Sequence, residues 1–220
     1  MKNQISKNTY DLENQVILVT GAAGQLGKTI INALLKNHSK VVATDTNLKE
    51  LMIVKNFYNW PEKNVQIIKC DITKKIEVKK VFKISRNKFG EITSIISNAG
   101  VSVFEEYLER SEKSIDFVMN VNLKGTLFCI QEFLKNRNIN SNKGSIVNIG
   151  SHYGLISPDP RIYTDCDRKN SEIYGATKAG IIQMTKYFAV HAANLNVRSN
   201  CVSPGGILDS ENPQGKDFQK

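Results

Sequence analysis

The sequence predicts an α/β protein with one doubly wound parallel sheet. Two observations predict it. Short Val/Ile-rich runs alternate with longer stretches of helical spacing, and the apolar runs are continuous rather than alternating. Strands separated by helices cannot pair as hairpins, so they pair in parallel through right-handed crossovers. Continuous apolar runs mean that both faces of the sheet are covered. At 220 residues the chain has the length of one domain, or of two small ones, at ~150 residues each. It is long enough to bury roughly 70% of its unfolded surface without staples.

The elements follow in order. Gln15 to Thr20 reads as a buried strand, and Gln25 to Lys36 as a helix through Leu26, Ile30, Ala33 and Leu34. Lys40 to Asp45 is the second strand, Leu48 to Phe57 a helix, and Val65 to Lys69 the third strand. Lys74 to Phe89 is helical, Ser94 to Ser97 is the fourth strand, and Ser111 to Lys135 is one long helix. Ser145 to Ile149 is the fifth strand, Ser171 to Asn194 a helix, and Val197 to Val202 the sixth strand. Ser151 to Asn170 breaks the pattern with two prolines and mixed charges. In such a fold ligands bind at the carboxyl ends of the strands.

Composition excludes several classes. Hydrophobic residues make up 40% and charged residues 23%, as in ordinary globular chains. No apolar run approaches the ~20 residues of a membrane span. The net charge of +9 is spread among many Asn residues rather than gathered into a basic tract, which argues against nucleic acid. Cys70, Cys129, Cys166 and Cys201 contain no C-x-x-C, and His38, His152 and His191 form no ligand pair, so no metal site is expected. Isolated cysteines fit a reducing compartment, and the N-terminus lacks the apolar core of a secretory signal. The expected location is the cytoplasm, with no membrane partner.

The first strand runs into Thr20-Gly21-Ala22-Ala23-Gly24-Gln25-Leu26-Gly27. Glycines at a strand–turn–helix junction let the backbone approach a pyrophosphate, and the helix N-terminus offers free N–H groups. A tight turn without a ligand is the plainer alternative. Asp45 ends the second strand, 24 residues after Gly21. A carboxylate there accepts hydrogen bonds from ribose hydroxyls and repels a 2′-phosphate, which favours NAD(H). Its plainer role is a cap for the next helix.

Further motifs fall in order. Asp71-Ile72 follows the third strand, Asn98-Ala99-Gly100 the fourth, and Asn122 lies in Asn120-Val121-Asn122-Leu123-Lys124-Gly125. Ser151 ends the fifth strand, Tyr174-Gly175-Ala176-Thr177-Lys178 gives Tyr-x-x-x-Lys, and Pro204-Gly205 follows the sixth strand. This ordered set resembles the short-chain dehydrogenase/reductase family, short form, over essentially the whole chain. The resemblance implies a Rossmann-type NAD-binding domain over residues 1–220. It implies catalytic Asn122, Ser151, Tyr174 and Lys178. It also implies cofactor contacts from Gly21, Gly24, Gln25, Leu26, Gly27, Asp45, Asp71, Ile72, Asn98, Ala99, Gly100, Tyr174, Lys178, Pro204, Gly205 and Ile207. Tyr174 is the implied acid/base. Lys178 lies one helical turn on, where it favours the phenolate and holds the nicotinamide ribose. Ser151 is the implied partner of the substrate oxygen, and Asn122 is implied to hold a water linking Lys178 to solvent. Dimers or tetramers form in the family through the two long helices, so a homo-oligomer is expected.

Three departures stand out. The family pattern T-G-x-x-x-G-x-G has Gln25 at its middle glycine, with Gly24 one residue early; the spacing resembles the sugar-nucleotide branch. Ser151 and Tyr174 lie 23 residues apart, farther than in similar members, so residues 151–170 read as an insertion beside the substrate. Ser151, His152, Arg161 and Tyr163 are its candidate contacts for phosphate or sugar hydroxyls, with a solvated excursion as the alternative. This loop, with the segments around Ile181 and Val202, resembles the flagellin-modification protein A group, which implies a sugar or amino sugar in nonulosonic-acid glycan synthesis. Only 14 residues follow Gly206, so the seventh strand of the family is expected to be missing. The expected function is NAD(H)-dependent interconversion of a secondary alcohol and a ketone. The alternatives are a noncatalytic NAD-binding protein and a sugar-nucleotide epimerase or dehydratase.

Overall fold

The structure, a computed structural model, describes residues 12–138, 143–165, 170–208 and 215. Six strands form one parallel sheet: β1 (Val16–Thr20), β2 (Lys40–Asp45), β3 (Val65–Lys69), β4 (Ser94–Ser97), β5 (Gly144–Ile149) and β6 (Val197–Val202). Their order is β3-β2-β1-β4-β5-β6. The chain winds outward from β1 to β3, then returns to β4 on the other side of β1. That reversal opens a crevice at the carboxyl ends of β1 and β4. Among the described residues β6 pairs only with β5, and no seventh strand is present.

The helices are α1 (Gln25–Lys36), α2 (Leu48–Phe57), α3 (Lys75–Phe89), α4 (Glu112–Val118), α5 (Thr126–Lys135) and α6 (Glu172–His191). Alternation along β1 divides the core. Ile17 and Val19 pack with Ile31, Leu51 and Trp60 beneath α1 and α2. Val16 and Leu18 pack with Phe82, Ile130 and Phe133 beneath α3 and α5. Both faces of the strand are therefore dry, which is why its sequence does not alternate. No described helix is long and apolar enough to cross a membrane.

The structure differs from the sequence reading in three places. The stretch from Ser111 to Lys135 is not a uniform helix: a π-helical turn, Met119–Gly125, joins α4 to α5. The wider turn carries the fully buried Asn122, and π-helical turns recur at functional sites. The helix starting after Ser171 ends at His191, followed by a 3₁₀ turn, Ala193–Leu195, and Asn196 at φ +55°. The insertion holds two short 3₁₀ turns, His152–Gly154 and Pro160–Ile162. Its residues 166–169, Cys166 among them, lie outside the described residues.

Close packing of α1 on the turn after β1 depends on Gly27. A Cβ there would stand 2.2 Å from the Gly21 carbonyl oxygen and 2.8 Å from the Ala22 Cα. At Gly24 the nearest atom would be 3.4 Å away. Gly27→Ala is expected to destabilise the chain by about 1–3 kcal/mol, as overpacking does. Gly24→Ala should cost less than about 1 kcal/mol. Urea unfolding of the two variants checks the contrast, and equal losses would contradict it.

Candidate active site

The crevice begins at the turn after β1. Gly21 has φ +64°, and a Cβ on it would stand 2.8 Å from the Ala99 Cα. A glycine is needed on both counts. Four hydrogen bonds lock this turn to the end of β4. The Thr20 hydroxyl accepts from the backbone N–H groups of Asn98 and Ala99, each at 3.1 Å. The Asn98 side-chain amide donates to the carbonyls of Thr20 and Gly21, each at 3.0 Å. Small residues at Ala99 and Gly100 thus serve a close approach of chain to chain. Gly24, Gln25 and Leu26 line the cleft at the start of α1, where backbone N–H groups lack intrahelical partners. Gly27 is buried behind them. Gln25, the departure from the glycine pattern, uses its side chain: its amide donates to the Leu208 carbonyl at 2.6 Å. This ties the segment after β6 across the turn.

Two lobes open from that turn and share Gly21, Asp45, Ala99, Gly100 and Val101 as walls. The first, of about 410 Å³, is bounded by Asp71, Ile72 and Val121. Asp45 stands at its mouth. Its carboxylate accepts from the Ala23 N–H at 3.1 Å and the Asn47 N–H at 3.0 Å. It is therefore not the cap of α2; Asn47 is, accepting from the Glu50 N–H at 3.1 Å. Asp71 accepts from the N–H and hydroxyl of Thr73 at 3.0 and 2.7 Å. Burial works to raise its pKa, but the Thr73 hydrogen bonds and the Lys74 charge hold it below the usual carboxylate value. Cys70 also lines this lobe, and burial, with Glu77 and Asp71 nearby, pushes its thiol up to about 12. It stays protonated and unreactive.

The second lobe, of about 490 Å³, brings together Ser151, Tyr174, Lys178, Pro204 and Ile207. Tyr174 and Lys178 share one face of α6, with the ammonium 5.5 Å from the centre of the phenol ring. The Lys178 ammonium donates to the Ile149 carbonyl at 2.8 Å. Burial pulls its pKa down to about 8. Burial raises that of Tyr174, partly offset by a hydrogen bond to Ser151. At neutral pH Lys178 is therefore charged and Tyr174 is a protonated phenol. Ser151 also accepts from the Tyr153 N–H at 3.1 Å.

Asn122 lies behind this lobe rather than in its lining. Its oxygen accepts from the Val101 N–H at 2.7 Å, and its amide donates to the Val101 carbonyl at 2.9 Å and the Thr177 hydroxyl at 3.1 Å. Both amide hydrogens are spent, which leaves the oxygen as the atom for any water. A Cβ on Gly100 would stand 3.5 Å from both this oxygen and the Lys178 nitrogen.

Of the candidate substrate contacts, only Ser151 reaches the cleft. The His152 ring nitrogen lies 3.1 Å from the Pro204 carbonyl, and the ring packs on Tyr153 at 3.8 Å. Tyr163 is buried, its hydroxyl hydrogen-bonded to that of Tyr153. Arg161 faces solvent and pairs with Asp159 at 2.6 Å. Tyr163 and Arg161 thus make contacts within the insertion, and His152 ties it to the segment after β6. Gly205 is exposed, with no atom within 4 Å of where its Cβ would be. The lobe is also lined by residues the sequence reading missed, among them the polar Ser102 and Asn170. The signal for them was positional: Ser102 closely follows Asn98-Ala99-Gly100, and Asn170 stands one helical turn before Tyr174.

Residues 15–217 match the short chain dehydrogenase family. A 3-oxoacyl-acyl-carrier-protein reductase of Thermotoga maritima is 34% identical over 197 residues, covering 89% of this chain and 75% of the relative. The post-translational flagellin modification protein A of Campylobacter coli is 30% identical over 206 residues, covering 91% and 80%. Among solved structures, a short chain dehydrogenase of Leptospira borgpetersenii with bound NAD+ superposes with a TM-score of 0.81. It is 32% identical, and the match covers 99% of this chain and 80% of that one. The parallel six-stranded fold thus agrees with the sequence match. This chain is a member of the short chain dehydrogenase family.

Proposed function

We propose that this chain is an NAD(H)-dependent oxidoreductase interconverting a secondary alcohol and a ketone, and that its substrate is a sugar or amino sugar of surface-glycan synthesis. One observation carries the redox reading: Ser151, Tyr174 and Lys178 meet in one lobe that joins a second lobe at Asp45. The two lobes suit the two halves of a dinucleotide, and the N-terminus of α1 between them suits its pyrophosphate. The NAD+ bound to the Leptospira relative supports the cofactor, and the Campylobacter relative, a flagellin modification protein, fits the surface-modification role that the family resemblance implies. The free thiols of Cys70, Cys129 and Cys201 fit a cytoplasmic setting. Exposed Phe117 on α4 and Tyr187 and Val190 on α6 would be covered in a homo-oligomer.

In this reading Asp45 holds the adenosine ribose and Asp71-Ile72 the adenine side. Pro204 and Ile207 frame the nicotinamide. Bound there, the nicotinamide supplies or accepts a hydride. Tyr174 gives its proton to the substrate oxygen during reduction and takes it back during oxidation. Ser151 hydrogen-bonds that oxygen and stabilises its developing charge. The Lys178 charge lowers the cost of the phenolate left behind. Asn122 holds Val101 and Thr177 in place behind the pair.

Tyr174→Phe is expected to cut turnover by about 10²–10⁴-fold. NADH affinity should stay within a few-fold. Reduction by the unaltered chain should decline as pH rises through about 8, where Lys178 loses its charge. Stopped-flow NADH oxidation checks both, and unchanged turnover in the variant would contradict the assignment. Asp45→Ala removes the carboxylate that repels a 2′-phosphate, so the ratio of NADH to NADPH affinity should fall. A native preference for NADPH would contradict the cofactor reading.

A further inference from the structure

Asn170 belongs to two cavities. It lines the reaction lobe with Ser151, Tyr174 and Lys178. It also lines an outer pocket of about 230 Å³ between the insertion, at Ser157, Pro158 and Pro160, and the segment after β4, at Glu105 and Tyr107. A substrate that outgrows the reaction lobe on this side must pass Asn170.

Two cross-links hold it there. The Ser102 hydroxyl donates to the Asn170 side-chain oxygen at 3.0 Å. Eight residues on, Arg110 grips Glu172 at the first position of α6, with N···O distances of 2.5 and 3.4 Å. The same guanidinium donates to the carbonyls of Val103 at 3.1 Å and Glu105 at 2.8 Å, and its side chain is 3% exposed. A guanidinium so fully engaged is a rigid strut. It fixes the segment from Ser102 to Arg110 against the start of the helix that carries Tyr174. Ser171 between them caps α6, accepting from the Tyr174 N–H at 3.1 Å. Its oxygen is committed to Ser102, and among the described residues no acceptor takes the two hydrogens of the Asn170 amide. They suit an acceptor oxygen: a hydroxyl, an ether or the carbonyl of an acetamido group.

We infer that Asn170 is a specificity-determining residue, held by Ser102 and the Arg110–Glu172 strut, which reads an oxygen-bearing substituent near the reacting carbon of the substrate. This rests on the oxidoreductase reading and narrows it: the substrate is a vicinally oxygenated alcohol or ketone rather than a plain alkyl one.

Matched probes test it. The NADH-bound chain is titrated with trans-1,2-cyclohexanediol and with cyclohexanol, and binding is followed by saturation-transfer NMR. The diol should bind about three- to tenfold more tightly, the worth of one hydrogen bond. Asn170→Leu should bring the two within about twofold. Ser102→Ala, which removes one of the two cross-links and lets the Asn170 side chain turn, should lower the preference partway. Arg161→Ala, outside the cleft, should retain it. Absent or equal binding of the two probes by the unaltered chain overturns the inference, as does a preference that survives Asn170→Leu. If the chain does not bind NADH at all, the oxidoreductase reading itself falls and takes the inference with it.

Discussion

The candidate site depends on the latch between Thr20 and Asn98. It sits where the winding of the sheet reverses, at the carboxyl ends of β1 and β4. Each residue uses both main chain and side chain, so the two strand ends satisfy one another with four hydrogen bonds. The cost is steric: the backbones come so near that Gly21 has no room for a Cβ beside Ala99. The gain is position. With the turn fixed, α1 begins where its free N–H groups face the cleft. The Ala23 N–H, in the same turn, orients the carboxylate of Asp45. One local arrangement thereby sets the wall that both lobes share.

A second set of constraints holds the reacting side chains. Lys178 is almost fully buried and anchored to the Ile149 carbonyl, and burying an ammonium costs stability. Its depressed pKa is the signature of that cost, and such groups gather at functional sites. The π-helical turn serves the same region. By widening the helix at Met119–Gly125 it carries Asn122 to the backbone of Val101 and to Thr177, one residue before Lys178. Arg110 and Glu172 add a tie from the segment after β4 to the head of α6. Tyr174 is thus held from the strand side, the helix side and the loop side.

Much of this was legible in the sequence because it is local. The strand β2 and the helix α2 have the bounds that apolar runs and turn residues predict, since both are fixed by burial within a few residues. Asp45 ending β2 and Tyr174 one turn before Lys178 follow from the same periodicities. The rest depends on partners distant in the chain. Asn122 in a π-helical turn has no mark in a 3.6-residue pattern. Gln25 looks like a lost glycine until Leu208 is found beside it, 183 positions away. Arg161 and Tyr163 look like ligand contacts because they are polar residues in an insertion, yet Asp159 and Tyr153 claim them. Asn170 looks like filler because its partner, Ser102, lies 68 residues earlier.

The most direct test of this account is a titration with NADH, followed by nicotinamide fluorescence, of the unaltered chain and of Asn98→Leu. The substitution keeps the branching of the side chain at Cγ and removes both side-chain donors to the turn. Saturable binding that weakens about tenfold or more in a variant with an unchanged far-UV spectrum is the predicted result, from the loss of two hydrogen bonds worth about 1 kcal/mol each. Equal affinity in the two proteins would show that the latch does not shape the site and would contradict the account.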